Sequence, residues 1–446
     1  MENGLAARNG GRIGLAALAA ILVLGLGLRV AEAWDGRPPV HDAAAYAAIA
    51  ANLADGEGFT AGAGATQPSS NYSPGLPLLV AGIYELTGGV HERLARLALA
   101  LIGSLSVLFA YLLGRRLGRS LSNRPRSSEV GLTGVVPALI GALAVAIYPA
   151  LLEYQGMLMS EPLAATLLSG AVLAILWAAA REDRVTWLLP GVLLGALALV
   201  RPEYLAIAFL LGLVVFARRA RAGWRLGLVQ AAILLAGVVI VVAPWAVRNA
   251  VALDRFAAIS TGGGQVLFAG TYLPSDGNPE KVGAEVVERH PELFAPDAVE
   301  RLRLEQILAR LAAARYPDLE TDQALGRMGR EQLWDDLSKE PLEFTGFLAA
   351  KVWRVWTYGA REVMREPGWE LFHWALVGLG LLGLGVLAWQ RRWEALLIGT
   401  ILLAITALSA LLVASPRRVL VMLPLLAPLA GVGAVWIAQS MRPLRD

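Results

Sequence analysis

The sequence predicts an all-α polytopic membrane protein with a bundle of about ten transmembrane helices. Of its 446 residues, 56% are hydrophobic and only 17% are charged, and the mean hydropathy is +0.56. A soluble protein of this size carries more charge and less apolar surface. Apolar runs recur along the chain, and most have a length close to the ~20 residues that a helix needs to cross a bilayer. They fall at roughly 13–34, 93–114, 130–149, 161–180, 185–200, 204–217, 226–247, 369–389, 394–414 and 419–438.

The composition also excludes several kinds of chemistry. The chain has no cysteine, so neither a disulfide framework nor a thiolate nucleophile is available. The net charge is +3 and the pI is about 9.2, but the basic residues stand in short clusters beside the apolar runs. Membrane orientation explains such clusters, and we expect no nucleic-acid partner.

The first apolar run indicates a retained membrane helix rather than a signal peptide, because it exceeds the ~7–15 residues of a signal core. Arginine clusters at 115–126, 218–225, 391–392 and 442–445 all fall on one side if the N-terminus is inside. We therefore predict a multi-pass protein of the inner or plasma membrane, with both termini cytoplasmic. The segments at 38–90 and 250–367 are then external.

The stretch Pro38–Phe59 predicts a short external helix that follows the first span. Its alanine-rich sequence has high helix propensity from Asp42 onward. At helical spacing Asp42, Tyr46, Ile49 and Leu53 share one face, which makes this face a candidate active-site wall. The alternative for Asp42 is a purely structural role as a helix N-cap.

Two later regions complete the predicted organisation. The runs at 185–200 and 204–217 are short, and Arg201 and Glu203 between them lie near the outer interface, where charge is costly and often marks a site. The long external segment contains helical stretches at 297–314 and 322–337. We predict an N-terminal transmembrane module at 1–249 with its first external loop at 35–92, a mainly helical external segment at 250–367, and C-terminal transmembrane helices at 368–446.

Charged residues at the outer ends of the spans are the remaining candidates. Glu161, in the sequence MSEP, can take part in catalysis or simply be an acidic first-turn residue before Pro162. Guanidinium groups match phosphate oxygens, so external arginines suggest an anionic ligand, although they can also snorkel to the interface. These arginines are Arg201, Arg248, Arg417 and Arg418, and Lys351 in an aromatic-basic run can likewise hold an anionic headgroup or belong to an interfacial belt.

The order of these motifs resembles that of the GT-C membrane glycosyltransferases. More particularly, it is similar to the bacterial branch that resembles protein O-mannosyltransferases and the aminoarabinose transferase of lipid A. The departures are Arg418, where an aromatic residue commonly follows the late arginine, and His41, which replaces the first acid of an Asp-Glu pair. The motifs are Asp42 with Tyr46, Asn52 to Phe59, Pro74-Gly-x-Pro77, Ser160-Glu-Pro162, Arg201-Pro-Glu203, Pro244-Trp-x-x-Arg-Asn249, and Arg417 before Pro424.

The resemblance implies an inverting hexosyl- or pentosyltransferase whose active site is on the external side of the membrane. The donor would be a polyprenyl-phosphate sugar and the acceptor an external glycan, lipid or protein. Asp42 would be the general base, with Tyr46 lining the pocket. The arginines, with Glu203 and Lys351, would bind substrate and stabilise the leaving phosphate. Glu161 would orient a substrate or share a divalent cation with Asp42; no histidine has metal-ligand spacing, and no other cofactor is implied.

Two other functions remain open at the level of the sequence. A transporter or flippase for an anionic lipid or glycolipid would use the same external arginines without bond chemistry. A glycan ligase with a polyprenyl-pyrophosphate donor would use the same type of pocket. The sequence does not identify the sugar or the acceptor.

Overall fold

The computed structural model of the chain is built from α-helices. It describes residues 2–62, 64–119, 134–181, 183–254, 256–276, 278 and 280–441, and within these ranges the single β-type pairing is an isolated bridge between Thr60 and Pro68. The chain forms two compact units. The first contains Met1–Ile259, Gly359–Leu402 and Val419–Asp446, and the second contains Ser260–Tyr358 and Leu403–Arg418.

The first unit contains the membrane helices, two of which continue into the second unit. Within the described ranges, seven helices are long and apolar enough to cross a membrane, and a bent helix pair could add an eighth. The helices are Glu2–Trp34, Asp42–Ala54, Gly75–Thr87, Glu92–Gly118, Val135–Ile147, Pro149–Gln155, Ser160–Ala179, Leu188–Val200, Tyr204–Leu253, Pro367–Trp389, Trp393–Leu411 and Arg417–Ser440.

The predicted all-α membrane architecture is confirmed, whereas the count of ten crossings is not. The helix Leu188–Val200 has 13 residues and reaches only about 20 Å at 1.5 Å per residue, which is short of a ~30 Å hydrocarbon core. The runs predicted at 204–217 and 226–247 belong to one stretch, Tyr204–Leu253, whose helical geometry breaks at Gly223. Of this stretch, only the part from Gly223 onward is among the seven spans.

Glycines allow the helices of the first unit to pack closely. A Cβ at Gly114 would lie 2.5 Å from the Cα of Ala138 on the neighbouring helix, and the Cβ position of Gly191 is 3.0 Å from the Cα of Gly237. Small residues at such crossings let backbones approach in lipid, where no hydrophobic force drives helices together. The pattern of apolar runs in the sequence did not indicate these helix–helix contacts.

A buried arginine stabilises the break between Val135–Ile147 and Pro149–Gln155, where the chain bends by 51°. The residue Arg29 is 1% exposed and donates hydrogen bonds to the carbonyl oxygens of Val145 at 3.0 Å and Ala146 at 3.3 Å. A helix that ends leaves its last carbonyls without partners, and a nearby guanidinium can satisfy them. Arg29 therefore has a structural role that the sequence did not indicate.

The second unit has its own hydrophobic core. Phe268, Val286, Leu308 and Leu325 are among its buried residues. The predicted helix at 322–337 is observed as Thr321–Lys339, while the stretch predicted at 297–314 is split into two helices by a break at Leu302 and Arg303. The helices are Gly263–Thr271, Val282–Arg289, Ala298–Arg301, Leu304–Arg315, Thr321–Lys339 and Pro341–Thr357. The predicted three-part division at 249 and 367 stays a prediction.

Candidate active site

The predicted helix after the first span is present as Asp42–Ala54 and carries Asp42 at its first position. Its N-cap residue is His41, which has a positive φ of 51° and makes no side-chain capping hydrogen bond. Asp42 is therefore not the N-cap that the structural alternative required. As the first residue of the helix, its carboxylate is favoured by the positive end of the helix dipole.

Tyr46 lies one helical turn after Asp42, at the point where the charged candidates converge. Its ring packs edge-on against Tyr72, with ring centroids 5.5 Å apart, and its phenol hydrogen-bonds with Ser160. Burial raises the pKa of Tyr46, the negative charges of Asp42 and Glu161 raise it further, and Arg201 and Ser160 act in the opposite direction. The phenol therefore stays protonated at neutral pH and can donate a hydrogen bond.

Glu161 and Arg201 form a buried ion pair beside this phenol. The Nη1 atom of Arg201 is 3.3 Å from Oε1 of Glu161, and its Nε atom is 3.0 Å from Oε1 of Glu203. Glu161 is 1% exposed, and its second oxygen, Oε2, has no hydrogen-bond partner among the described residues. One guanidinium thus contacts two carboxylates.

Three helix ends bring these side chains together. Glu161 is in the first turn of Ser160–Ala179, Arg201 is the C-cap of Leu188–Val200, and Glu203 is the N-cap residue of Tyr204–Leu253. Both glutamates therefore lie at helix N-termini, which favour negative charge. The predicted candidates Asp42, Tyr46, Glu161, Arg201 and Glu203 thus share one neighbourhood, which we call the carboxylate cluster.

Close packing at Gly75 positions the helix end that carries Arg201. A Cβ at Gly75, the first residue of the helix Gly75–Thr87, would lie 2.6 Å from the Val200 side chain and 2.8 Å from the carbonyl carbon of Leu199. A contact this short cannot exist, so only glycine permits this approach. The helix Gly75–Thr87 therefore packs directly against the end of the helix that presents Arg201.

Arg248 contacts a loop rather than a carboxylate. It donates hydrogen bonds to the carbonyl oxygens of Phe59 at 2.9 Å and Ser69 at 2.8 Å, and to the side chain of Asn249 at 3.1 Å. Its guanidinium also lies 5.0 Å from the ring centroid of Trp245. Arg248 therefore joins the two ends of the segment at 59–69, and its predicted phosphate contact stays a prediction.

Lys351 and Arg418 form a pair of buried cations in the second unit. They are 1% and 7% exposed, and the ammonium of Lys351 donates a hydrogen bond to the carbonyl of Gly270. Burial, together with the nearby charge of Arg418, lowers the pKa of Lys351 to about 7. Arg418 donates to the carbonyl of Val413, while its Nε has no hydrogen-bond partner among the described residues.

The sequence left open which of Arg417 and Arg418 belongs to a site. Arg418 is the buried residue beside Lys351, whereas Arg417 is partly exposed. Ser160 is a residue that the sequence reasoning quoted in a motif but did not select. Its adjacency to Glu161 was the available signal, and it contacts both Tyr46 and Arg201, the latter at 3.4 Å.

The donor set does not fit a resident metal ion. In the described ranges, no three His, Cys, Asp or Glu side chains converge as a metal-binding group. The hypothesised divalent cation between Asp42 and Glu161 would compete with Arg201 for Oε1 of Glu161. Mg²⁺ can complete its shell with waters and substrate oxygens, so the argument against a resident ion here is the occupation of Glu161 by Arg201.

The all-helical arrangement has the same fold as solved oligosaccharyltransferases, in agreement with the predicted GT-C-type bundle. The oligosaccharyltransferase AglB of Archaeoglobus fulgidus, solved with an inhibitory peptide and a dolichol-phosphate, is similar with a TM-score of 0.54 at 13% identity, over 97% of this chain and 52% of that one. An apo oligosaccharyltransferase from the same organism gives a TM-score of 0.56 at 15% identity, over 97% and 51% of the two chains.

A further similar structure is ArnT from Cupriavidus metallidurans bound to undecaprenyl phosphate. Its TM-score is 0.43 at 16% identity, over 96% of this chain and 81% of that one. This chain spans about half the length of the archaeal oligosaccharyltransferase. The TM-scores of the two oligosaccharyltransferases show a common fold and, at identities this low, nothing more, so the predicted bacterial branch stays a prediction. Neither the protein-family models nor the curated proteins give a match.

Proposed function

We propose that the protein is an inverting glycosyltransferase that moves a sugar from a polyprenyl-phosphate donor to an acceptor on the outer face of the membrane. The observation that carries the proposal is the carboxylate cluster around Tyr46. Its acid Asp42 lies on a helix that is not among the membrane spans. The fold is shared with enzymes that use lipid-linked donors.

Asp42 is the general base in this proposal. As the acceptor oxygen or nitrogen bonds to the anomeric carbon, its proton passes to the Asp42 carboxylate. The bond from the anomeric carbon to the phosphate oxygen breaks, and its electron pair leaves with the polyprenyl phosphate. A single displacement of this kind inverts the anomeric centre. Tyr46, protonated one turn away, is placed to donate a hydrogen bond to a bound sugar or acceptor.

Arg201 is a positioning residue in this scheme rather than a phosphate ligand. The sequence assigned it to the phosphate, but its guanidinium is held by the carboxylates of Glu161 and Glu203 at 3.3 and 3.0 Å. A phosphate bound there would compete with these two carboxylates for the same guanidinium. We propose that Arg201 fixes Glu161, whose free Oε2 then accepts a hydrogen bond from the acceptor or the sugar.

The second unit contains a pair of buried cations that suits an anionic ligand. Lys351 and Arg418 are buried next to each other, and in the described structure no carboxylate forms an ion pair with Lys351. Two like charges out of water are costly, and an anion would relieve the cost. We propose that this pair binds the phosphate of a polyprenyl-phosphate lipid.

The proposal is tested with purified protein in lipid nanodiscs, a panel of labelled polyprenyl-phosphate sugars, and mass spectrometry of both products. Transfer is expected to release one free polyprenyl phosphate for each glycosylated acceptor. Asp42→Asn is expected to lower turnover by about 10²–10⁴-fold without changing lipid binding. The matched control is Asp55→Asn at the exposed C-cap of the same helix, which keeps normal turnover.

Three results would overturn parts of this proposal. Near-normal turnover of Asp42→Asn would remove Asp42 as the base. Movement of intact lipid to the other leaflet, with no product, would identify a transporter. Turnover with polyprenyl-pyrophosphate donors alone would identify a glycan ligase.

A further inference from the structure

The helix Pro341–Thr357 of the second unit ends beside a membrane-spanning helix. The indole nitrogen of Trp356, in its last turn, donates a hydrogen bond to the hydroxyl of Thr406 at 3.1 Å. Thr406 belongs to Trp393–Leu411, one of the helices that are long and apolar enough to cross a membrane. Both residues are part of the second unit. One end of Pro341–Thr357 is therefore in contact with a membrane span.

The contact lies well inside that span. Trp393–Leu411 has 19 residues, which at 1.5 Å per residue give about 28 Å, close to the ~30 Å thickness of the hydrocarbon core. A helix of this length crosses the membrane with nearly all of its residues in lipid. Thr406 is five residues from the Leu411 end, or about 7.5 Å along the axis. The indole of Trp356 is consequently held at a depth that belongs to the membrane.

A second contact indicates that the two helices run in opposite directions here. Lys351 donates a hydrogen bond to the carbonyl of Gly270, and the Cβ position of Gly270 is 2.7 Å from the carbonyl oxygen of Leu411. Lys351 is thus level with the Leu411 end of the span. Trp356, five residues later, is level with Thr406, five residues from that end. Five residues rise about 7.5 Å on either helix, so the two contacts agree.

The descending part of this helix presents a large exposed apolar side chain. Trp353, between the levels of Lys351 and Trp356, is 67% exposed. On the span, Leu403 is 72% exposed and lies three residues deeper than Thr406. Apolar surface of this kind is unfavourable in water, whereas tryptophan is enriched where a membrane meets water. We therefore expect lipid around Trp353.

The polar side chains of the last turn have partners, as an apolar environment requires. Besides the indole of Trp356, the hydroxyl of Thr357 donates to the carbonyl of Trp353 at 2.7 Å. The charged residue of this turn is Arg354, whose guanidinium donates to the carbonyl oxygen of Asp276 at 3.4 Å. Asp276 is exposed, so the long side chain of Arg354 reaches a polar surface, as charged side chains near membrane surfaces do. The charge of Arg354 is therefore compatible with insertion.

We propose that residues 352–357 are inserted into the membrane beside Trp393–Leu411, with Trp353 facing lipid. The partner of this surface is the lipid of one leaflet. The insertion also puts Lys351 at the level of the lipid headgroups, because Lys351 is level with the end of the span. The proposal is independent of the glycosyl transfer proposed above, since it follows from contacts within the second unit.

The test measures the depth of spin labels in the full-length protein reconstituted into liposomes. The chain has no cysteine, so a single introduced cysteine carries the only label. Electron paramagnetic resonance gives the accessibility of this label to oxygen, which concentrates in lipid, and to nickel ethylenediaminediacetate, which stays in water. For Trp353→Cys, the ratio of oxygen accessibility to nickel accessibility is expected to be several-fold higher than at a position in water.

Three positions calibrate this ratio. Leu403→Cys, on the exposed face of the span, gives the value for lipid. Trp334→Cys gives the value for water, because Trp334 is 68% exposed and has the charged neighbours Asp335 and Asp336. Leu342→Cys lies on the same helix as Trp353 but eleven residues earlier, about 16 Å along the axis, and should match the value for water.

Thermal unfolding of each labelled variant shows whether it is folded. The substituted side chains are all exposed, so the fold should tolerate the labels. Tyr358→Cys, an exposed position directly after the helix, should also give a lipid-like ratio and keeps the test decisive if Trp353→Cys does not fold.

Three results would overturn the proposal. Equal nickel accessibility at Trp353→Cys and Trp334→Cys would put Trp353 in water. Low accessibility to both reagents, with spin–spin broadening that disappears on dilution with unlabelled protein, would mean that a second copy of the chain covers Trp353. A lipid-like ratio at Leu342→Cys as well would mean that the helix lies flat on the membrane instead of inserting its end.

Discussion

Lys351 makes the stability of the protein depend on pH in a direction that can be measured. Its pKa is lowered to about 7 from an ordinary value of 10.5 by burial and by the nearby Arg418. In the unfolded chain the amine returns to about 10.4. Between these two values the unfolded state binds more protons than the folded state, so stability rises with pH over about pH 7 to 10 and is flat below pH 7.

The size of the effect follows from the difference in pKa. Each unit corresponds to about 1.4 kcal/mol, so a difference of about 3.4 units gives roughly 5 kcal/mol as an upper limit. Lys351→Met keeps most of the volume and removes the charge, which makes the stability of the variant independent of this titration. The variant should be more stable than the wild type at pH 7, and the difference should shrink toward pH 10.

The measurement is thermal unfolding of both proteins in the same nanodiscs from pH 6 to pH 10, and the quantity of interest is the difference in Tm at each pH. Lys339→Met is the control, because Lys339 is exposed and pairs with Asp335 at 2.7 Å. Its pKa is raised by that hydrogen bond, so the stability that it contributes is present at neutral pH and lost as the pH rises. That loss begins only above the unfolded pKa of about 10.4, so the difference between Lys339→Met and the wild type should stay nearly constant from pH 6 to pH 10, whereas the difference for Lys351→Met should shrink. Parallel Tm curves for Lys351→Met and the wild type would refute the argument.

Three further predictions concern the first unit. Glu161→Gln should destabilise the protein by about 1–3 kcal/mol, because it weakens a buried charged hydrogen bond to Arg201. An unchanged midpoint in chemical unfolding would contradict this prediction. Gly75→Ala should lower the Tm by forcing a Cβ to within 2.6 Å of Val200, whereas Gly82→Ala on the same helix meets no atom within 4 Å and should have little effect. Exhaustive chelation should leave turnover unchanged, and loss of activity that is restored by Mg²⁺ or Mn²⁺ would show that ligands outside the described side chains hold a metal.

The fold could be predicted from the sequence where local signals decide it. Apolar length gave most of the spans, and alanine-rich propensity together with the preceding prolines gave the helix Asp42–Ala54. The crossing count of about ten is not confirmed, because a short apolar helix such as Leu188–Val200 gives the same hydropathy signal as a span. The bend at Pro149 and its stabilisation by Arg29 depend on contacts more than 100 residues apart, for which hydropathy carries no signal.

The sequence identified which residues belong to the candidate site but not which of them contact each other. Asp42, Glu161 and Arg201 could be selected because charge at the end of an apolar run is unusual. That Arg201 pairs with Glu161, forty residues earlier, depends on how three helix ends pack, and the sequence assigned the arginine to a phosphate instead. Arg418 is buried and Arg417 is partly exposed because adjacent residues point to different faces of a helix. The sequence does not show which of these faces is turned toward the protein interior.

The charge balance of the carboxylate cluster explains why one arginine cannot serve two purposes. If Arg201 neutralised a donor phosphate, Glu161 would remain as a buried carboxylate without a counter-charge, which is among the most costly arrangements in a protein. Because Glu161 is 1% exposed and contacts Arg201 at 3.3 Å, the guanidinium is needed where it is. In the proposed scheme the cluster accepts a proton and binds hydroxyl or amine groups, while a phosphate is bound by a cation that no carboxylate holds. Among the described residues, Lys351 meets that condition.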